Sequence, residues 1–452
     1  MNKFWVQISL RLHIYKQSFR TVTRALQYRN FRLFIAGQCV SLTGTWMQRI
    51  ALGWLVYRLT GSVLLLGAVG FAGQLPTFLL TPFAGVLADR VNRHRLIIFT
   101  QSIAMLQALT LSALVLSGSI QIWHIMLLSV ILGVVNALDM PCRQSFMHEM
   151  IDSKADLGNA IALNSSIVNV ARLLGPSIAG LLIASTGEGI CFLINGLSYL
   201  AVLAALLFMR LKSKAVQSQK RHPILQLKDG VIYAYSFPPI RIILLLLTVI
   251  SLMGMPYNVL MPVFAKNILQ GGPCVLGLLM GAAGVGALIA AVYLASRSNV
   301  LGLEKWMVYT AVILALGLIA LALSRNLILS MIDMLLIGFG LIFLMAAGNT
   351  LLQTIVDDDK RGRVMSFYTF SIMGMAPFGS LFYGVLAKWF GVPFTLAAGG
   401  VACFAGAIIF YFKLPELQKH VHPIYLRLGF LPEIADGLES AVEITSTDKD
   451  ID

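Results

Sequence analysis

Apolar residues in this chain are concentrated in twelve long stretches, separated by short segments that are polar or contain glycine and proline. The stretches cover approximately 33–57, 63–88, 96–117, 123–147, 158–185, 189–210, 241–264, 274–297, 306–324, 328–350, 364–387 and 391–413. A helix needs about 20 mainly apolar residues to cross a bilayer, and the stretches have that length. The pattern predicts an all-α membrane protein with twelve transmembrane helices.

The composition agrees with this pattern, because 58% of the 452 residues are hydrophobic and only 12% are charged. Soluble domains have about 45–50% apolar and about 25% charged residues, so a water-soluble enzyme is excluded. The five cysteines lie inside apolar stretches, without the spacing of a disulfide framework or a metal site. The sequence has no Walker loop and no Ser/His/Asp arrangement. We therefore expect neither an enzyme nor a cofactor or metal.

The net charge of +14 is unevenly distributed among the loops. Residues 1–32 carry seven Lys and Arg and no acid, and the loops after the second and sixth stretches are also basic. The alternate loops are nearly free of basic residues. Lys and Arg accumulate in cytoplasmic loops, and an even number of spans returns the chain to its starting side. We expect a multi-pass protein of the plasma membrane, the inner membrane in a Gram-negative bacterium, with both termini cytoplasmic and no nucleic-acid partner.

The chain divides into two halves of six stretches each, 31–211 and 241–413. Residues 1–30 lack the apolar core and cleavage site of a signal peptide and are expected to form a basic interfacial segment. The polar link 212–240 has apolar residues at helical spacing, which predicts a short amphipathic helix. That helix is equally consistent with a strap coupling the halves or a plain tether. The acidic tail 414–452 is interpreted as a solvated cytoplasmic end or a partner-binding segment.

An internal repeat supports two equivalent bundles. The chain reads Asp152-Ser-Lys-Ala-Asp-Leu-Gly158 before the fifth stretch and Asp357-Asp-Asp-Lys-Arg-Gly362 before the eleventh. The following helices carry Gly175-Pro176 and Ala376-Pro377 in turn. Parallel repeats with a binding site between them at the membrane midplane are typical of secondary transporters. The repeat therefore predicts two pseudo-symmetric six-helix bundles.

The segment Gly85-Val-Leu-Ala-Asp-Arg-Val-Asn-Arg-His-Arg95 resembles the signature loop between helices 2 and 3 of the major facilitator superfamily. It departs from that signature at Asn92, where glycine is usual, and at His94. Three other stretches resemble the bacterial transmembrane effector branch, which includes enterobactin-type siderophore exporters and macrolide-type drug exporters. These stretches are Phe31-Arg-Leu-Phe with Gly44-Thr-Trp-Met-Gln48, Leu138-Asp-Met-Pro-Cys-Arg-Gln144, and Asn159-Ala-Ile-Ala-Leu-Asn-Ser165.

The resemblance implies a gating role for the signature loop. Its candidate residues are Gly85, Asp89, Arg90, Arg93 and Arg95. A carboxylate near helix N-termini and beside arginines can hold the cytoplasmic ends of a bundle together, and glycine permits close backbone approach. The alternative is plain positive-inside topology, which explains the arginines but leaves the aspartate unexplained.

Helix 5 carries small residues around a proline, in a pattern that resembles the antiporter signature of the superfamily. The residues are Gly175, Pro176 and Gly180, with Ala171 in place of the first glycine. The resemblance favours export over import. From the residues alone, we expect the small side chains to share one helix face and to allow a tight helix crossing.

Few ionisable residues lie inside the predicted spans, and such residues are functional candidates. Asp139 and Arg143 are four residues apart on helix 4 and therefore lie on one face. Asp139 is the best candidate for proton coupling. The alternative is a permanent ion pair of Asp139 with Arg143, Arg49 or Arg172, which would make the carboxylate structural.

In the superfamily that this chain resembles, helices 1, 4, 7 and 10 line a central cavity. The candidate cavity residues, including one on helix 5, are Gln38, Trp46, Gln48, Arg49, Asn136, Arg172, Met255, Tyr257, Asn258 and Asn349. Aromatic and methionine walls with a few amides suit an amphipathic organic molecule, and two arginines would attract an anion. The alternative for each polar residue is a hydrogen bond to a neighbouring helix.

Together these features predict a secondary active transporter that exports an amphipathic small molecule, such as a siderophore or a drug-like compound, by alternating access. We expect protons to be the coupling ion, the lipid bilayer to surround the protein, and the protein to be a monomer. Two alternatives remain open from the sequence. One is a lipid or lysophospholipid flippase, and the other is a non-transporting membrane receptor or assembly subunit.

Overall fold

The computed structural model describes residues 24–210, 237–297 and 299–427, apart from the side chains at positions 82, 85–90, 154, 358 and 359. The described residues form twelve long helices and no strands, as the hydropathy pattern predicts. Ten of the helices are α1 (Arg29–Thr60), α2 (Val63–Arg90), α3 (Arg93–Leu116), α4 (Ile122–Met150), α5 (Lys154–Thr186), α6 (Glu188–Leu207), α8 (Pro273–Ser296), α9 (Leu303–Leu323), α10 (Leu327–Ile355) and α12 (Val392–Arg427).

The other two helices, α7 and α11, are interrupted by π-helical turns. Helix α7 spans Pro238–Ile268 and contains π turns at Ile250–Gly254 and Phe264–Ile268. Helix α11 consists of Asp358–Thr369, a π turn at Phe370–Gly374, and Ala376–Phe390. Such turns are frequently found at functional sites.

Eleven helices are long and apolar enough to cross a membrane, counted over the described residues. Helix α1 falls outside that count although it has 32 residues. Its apolar surface is diluted by polar residues in its middle third, among them Gln38, Gln48 and Arg49. Because polar groups inside a bilayer must face protein or a water-filled space, α1 is the helix whose composition points most directly to an internal site.

The two halves have the same internal packing. In the first half, α1 packs on α6, α2 on α4, and α3 on both α4 and α6. In the second half, α7 packs on α12, α8 on α10, and α9 on both α10 and α12. Adding six to each helix number of the first set gives the second set, so the predicted pair of pseudo-symmetric six-helix bundles is confirmed.

Two helix crossings join the halves, α2 with α11 and α5 with α8. Both depend on glycine. A Cβ on Gly180 would lie 2.9 Å from the Cα of Gly277, and a Cβ on Gly67 would lie 2.8 Å from the Cα of Gly384. Contacts this short leave no room for a side chain, so the backbones of the two halves touch directly.

Contacts between the halves occur at one end of the helices and in their middle. Tyr57 near the end of α1 accepts a 2.7 Å hydrogen bond from the side-chain amide of Asn267 at the end of α7. Phe78 stacks obliquely on Phe370 at a centroid distance of 5.3 Å. Among described residues, the hydrogen bonds, ring contacts and glycine contacts between halves involve positions 53–78 and 172–180 of the first half. The interface is therefore closed on the side away from the chain termini.

Helix α12 continues beyond the predicted end of the last apolar stretch at 413. It runs to Arg427, and Leu417, Val421 and Tyr425 are buried in the additional turns. Gln418 donates a 3.1 Å hydrogen bond to Glu304 at the start of α9. The first residues assigned to the acidic tail are thus part of the helical bundle.

At the same end of the molecule, the segment before α1 is bound to the start of α5. Asp156 forms a 2.8 Å ion pair with Arg24 and accepts a 2.7 Å hydrogen bond from the hydroxyl of Tyr28. The predicted interfacial segment before residue 24, the amphipathic helix expected in 212–240 up to residue 236, and the tail after 427 lie outside the described residues.

Candidate functional site

The aromatic ring of Trp46 on α1 contacts two guanidinium groups near the middle of the membrane-spanning helices. The guanidinium carbon of Arg49 is 4.7 Å from the ring centroid, and that of Arg172 on α5 is 5.1 Å from it. The two guanidinium carbons are therefore no more than 9.8 Å apart. At about 1.5 Å rise per residue, Trp46 and Arg172 lie about 25–27 Å from the starts of their helices, which are about 50 Å long.

Gly175 determines how closely α1 approaches α5 at this site. A Cβ on Gly175 would lie 2.5 Å from the Cβ of Trp46 and 3.0 Å from the carbonyl oxygen of Thr43. Only glycine permits that distance between the two helices. Since Arg172 precedes Gly175 by about one helical turn, the same crossing brings Arg172 to the ring of Trp46.

The two arginines have no acidic partner in the described part of the chain, where no carboxylate oxygen lies within 4 Å of either. The Nε atom of Arg172 is buried without a hydrogen-bond partner. A cation–π contact contributes about 0.5–2 kcal/mol, whereas taking a charged group out of water costs several kcal/mol. The ring therefore offsets only part of the cost of placing these charges here.

The two cations also repel each other. At the largest separation of 9.8 Å and an effective dielectric constant of about 20, the repulsion is about 1.7 kcal/mol, and any shorter separation makes it larger. Arg49 is exposed although it lies in the middle of its helix. The site as a whole is cationic.

The second half contributes Tyr257 on α7, which is buried and interacts electrostatically with Arg172. Tyr257 follows the π turn Ile250–Gly254 and Pro256, where the regular hydrogen bonding of α7 is interrupted. Next to it, Met255 is half-buried and Asn258 is exposed, with the amide of Asn258 donating to the carbonyl of Met255 at 3.4 Å. The structure thus places these three predicted residues around a break in α7, with Tyr257 facing Arg172.

The remaining predicted amides lie on α4 and α10. Asn136 is half-buried. Asn349 is half-buried and accepts a 2.7 Å hydrogen bond from the exposed Gln353, one turn closer to the end of α10. Both helices turn polar side chains to accessible positions, but no contact joins these amides to Trp46 in the described residues.

Asp139 on α4 is buried in a polar cluster inside the first bundle. It is ion-paired with Arg143. It also accepts 2.9 Å hydrogen bonds from the hydroxyl of Thr100 and the side-chain amide of Gln101 on α3. Arg143 in turn donates a 2.9 Å hydrogen bond to the side-chain oxygen Oε1 of Gln38. In this state the cluster corresponds to the ion-pair alternative, with Arg143 rather than Arg49 or Arg172 as the partner.

Two of the residues expected to line the cavity lie inside the first bundle instead. Gln38 is only 1% exposed and contacts Arg143. Gln48 is 3% exposed, donates to Gln107 at 3.1 Å, and accepts from Asn195 at 2.6 Å. Their amides satisfy the polar groups of neighbouring helices, which is the alternative that the sequence left open.

The signature loop is anchored within the first half. Asn92 caps α3 by accepting a 3.1 Å hydrogen bond from the backbone N–H of Arg95, which explains the use of asparagine at this position. Arg93 forms a 2.8 Å ion pair with Glu149 at the end of α4, and the side chain of Arg95 is exposed. Gly85 and the side chains of Asp89 and Arg90 are not described, so the predicted gating role of Asp89 remains a prediction.

The small residues of α5 occupy two faces, and the prediction that they share one face is wrong. Gly175 faces α1 of its own half, whereas Gly180 and the carbonyl of Pro176 face Gly277 of α8. Five residues correspond to about 500° of helical rotation, so positions 175 and 180 point in different directions. Helix α5 therefore packs tightly on both sides, against the site and against the other half.

Sequence reasoning missed the partners that complete these clusters. Thr100 and Gln101 hold Asp139, and Tyr57 and Asn267 close the interface away from the termini. Lys266 also lies over the ring of Tyr57, 5.5 Å from its centroid. Polar residues on helix 3 and at helix ends carry no distinctive spacing, so no sequence signal distinguishes them from ordinary interfacial residues.

Comparison with known proteins places this geometry in a family. The model of the transmembrane secretion effector family matches residues 22–426. The chain is 27% identical over 389 residues to the staphyloferrin A transporter of Staphylococcus aureus, covering 86% of this chain and 97% of that protein. It is 23% identical over 384 residues to the multidrug efflux pump Tap of Mycolicibacterium fortuitum, covering 83% of this chain and 93% of the pump.

A solved structure shares the fold. A bacterial homologue of the human lysosomal transporter Spinster, in an inward-facing and occupied conformation, superimposes with a TM-score of 0.69 at 14% identity. The match covers 87% of this chain and 98% of that chain. With a twelve-helix fold, two six-helix bundles and a family match over nearly the whole described length, the chain belongs to the transmembrane secretion effector family of major facilitator superfamily transporters, which are not enzymes.

Proposed function

We propose that this protein is a secondary active exporter that moves an amphipathic small molecule, such as a siderophore or a drug-like compound, out of the cytoplasm. The observation that carries the proposal is the cationic site of Trp46, Arg49 and Arg172, with Arg49 exposed and Arg172 next to the glycine contact between the two bundles. The names of the two relatives, a siderophore transporter and an efflux pump, support the substrate class and the direction.

The transport cycle in this proposal is alternating access. The basic loops on the side of the termini support a cytoplasmic location for both ends. The proposal takes the present state as open to the cytoplasm, with Tyr57 and Asn267 joining the halves at the opposite end. In this proposal the bundles rock against each other at the crossings of α5 with α8 and α2 with α11, where glycines bring backbone against backbone.

Proton coupling is assigned to Asp139 in this proposal. The carboxylate is buried and held by Arg143, Thr100 and Gln101. Protonation would neutralise one member of the ion pair and release Arg143 and Gln38, which connect α4 to α1. A change at Asp139 is thereby passed to the helix that carries Trp46 and Arg49.

Two experiments test the proposal. Small molecules in cells and in spent medium are compared between a deletion strain and its complemented twin, with and without iron. Export predicts that one compound accumulates inside the deletion strain and disappears from its medium, whereas retention of a compound outside would show import.

In everted vesicles, Asp139→Asn should abolish efflux driven by a pH gradient, while the exposed Asp152→Asn serves as a matched control. Unchanged gradient-driven efflux in Asp139→Asn would reject the coupling role.

A further inference from the structure

We infer that the cluster of Trp46, Arg49 and Arg172 is a binding site for an organic anion with at least two anionic groups, carboxylates in the first place. The inference rests on the proposed function, because it narrows the substrate class of the same central site. It follows from the charges at the site rather than from its general polarity.

The first step is that no acidic side chain of the described residues neutralises the charges of Arg49 and Arg172. Arg49 and Arg172 lie on one indole ring, at 4.7 and 5.1 Å, and have no carboxylate within ion-pair distance among the described residues. The neighbouring buried carboxylate, Asp139, is already paired with Arg143 and hydrogen-bonded to Thr100 and Gln101. The site therefore carries two positive charges that no carboxylate of the described residues offsets.

The second step is the geometry of the donors. A guanidinium group presents a planar fork of N–H donors that matches a carboxylate with two parallel hydrogen bonds. The Nε atom of Arg172 is buried without a partner, so part of its fork is unused in this state. Because the guanidinium carbons are at most 9.8 Å apart, one molecule with two anionic groups can reach both.

The third step excludes a bare inorganic anion as the preferred ligand. Both arginines lie over the indole ring of Trp46, and Arg172 also faces Tyr257 of α7. Such aromatic rings contribute to binding only by contact with carbon atoms of a ligand. A lipophilic cation is disfavoured in the same place, since both arginines repel it. The site thus combines anion recognition with an organic framework.

The test is binding of citrate to the purified full-length protein in lipid nanodiscs, measured by scintillation proximity with radiolabelled citrate. Trimethyl citrate supplies the same skeleton without charge, ethidium supplies an organic cation, and inorganic phosphate at equal ionic strength supplies a small anion. We expect citrate to be displaced by excess citrate but not by the other three compounds.

The variants are Arg49→Gln, Arg172→Gln, the double variant, and Arg49→Lys. Loss of one charged hydrogen-bond partner should weaken citrate binding by about tenfold or more, with a larger loss in the double variant. Arg49→Lys keeps the charge but loses the planar fork, so its affinity should fall between those of the wild type and Arg49→Gln. Lys388→Gln is the matched control, because Lys388 lies 5.9 Å over the ring of Trp389 on the exposed end of α11.

The inference is overturned if the wild type does not bind citrate, if trimethyl citrate or phosphate competes equally, or if the folded double variant binds citrate normally. Folding of each variant is checked by its melting temperature, and Arg49→Lys keeps the test decisive should the double variant be unstable. Failure of the proposed function has a different signature. In that case citrate binding would depend on both arginines, but proteoliposomes would show no exchange or gradient-driven movement of any bound compound.

Discussion

A methyl group on Gly175 should disturb the candidate site without introducing any polar change. In Gly175→Ala, the new Cβ would lie 2.5 Å from the Cβ of Trp46, 3.0 Å from the carbonyl of Thr43, and 3.2 Å from the backbone nitrogen of Met47. Carbon atoms pack at about 3.5–4.0 Å, so α1 and α5 must separate by about 1 Å. The neighbouring atoms are backbone atoms or the first side-chain carbon and have no rotamer that avoids the contact.

Overpacking of this kind costs about 1–3 kcal/mol. Replacing glycine by alanine in a helix also contributes about 1 kcal/mol in the opposite direction, and this gain must be removed from the comparison. Gly158 supplies the control, because it lies on the same helix and a Cβ there meets no atom within 4 Å. The difference between Gly175→Ala and Gly158→Ala isolates the cost of the close approach.

The assay is thermal unfolding of both variants in the same detergent, followed by tryptophan fluorescence. For a unit of about 150–250 residues, 1 kcal/mol corresponds to about 2–4 °C, so Gly175→Ala should melt about 2–12 °C below Gly158→Ala. Ligand binding should fall in the same variant, since the ring of Trp46 moves away from Arg172. Equal melting temperatures for the two variants would refute the reasoning, because they would show that α1 and α5 separate freely.

Three further predictions concern other contacts. Tyr57→Phe removes the hydrogen bond from Asn267 and should shift the protein toward opening away from the termini, which double electron–electron resonance between labels on the two halves would detect as a longer distance. Arg58→Gln should lower stability by about 1–3 kcal/mol, because Glu188, only 4% exposed, loses its ion-pair partner, and the melting temperature of Arg58→Gln would check this. Asp89→Asn should slow the transport cycle without loss of expression, and an unchanged exchange rate in proteoliposomes would contradict the gating role.

The candidate site was predictable in its residue types but only partly in its arrangement. Trp46, Arg49 and Arg172 are unusual inside apolar stretches, so the cost of burying polar groups marks them from the sequence. Gln38 and Gln48 are equally polar and lie on the same helix, yet they face the interior of the first bundle. A hydropathy pattern shows that a side chain is polar, but it does not show which neighbouring helix supplies its hydrogen-bond partner.

The same limit applies to the ends of elements and to small residues. Helix α12 continues to Arg427 because Leu417 and Val421 pack against the bundle, although the strongly apolar stretch stops at 413. Gly175 and Gly180 signal close packing from the sequence, but their contacts with α1 and α8 depend on where those helices lie. Tertiary packing therefore determines where α12 ends and which helix each of the two glycines contacts.

The number of spans, their approximate positions, the division into two similar halves and the family resemblance could all be predicted from the amino-acid sequence. These properties depend on local composition and on motifs, which the chain carries whatever its packing. The pairing of Asp139 with Arg143 rather than with Arg49 or Arg172, and the contact of the latter two with the ring of Trp46, follow from the tertiary packing. The rotation of each helix about its axis is determined by close contacts with its neighbours, and that rotation selects which polar side chains meet.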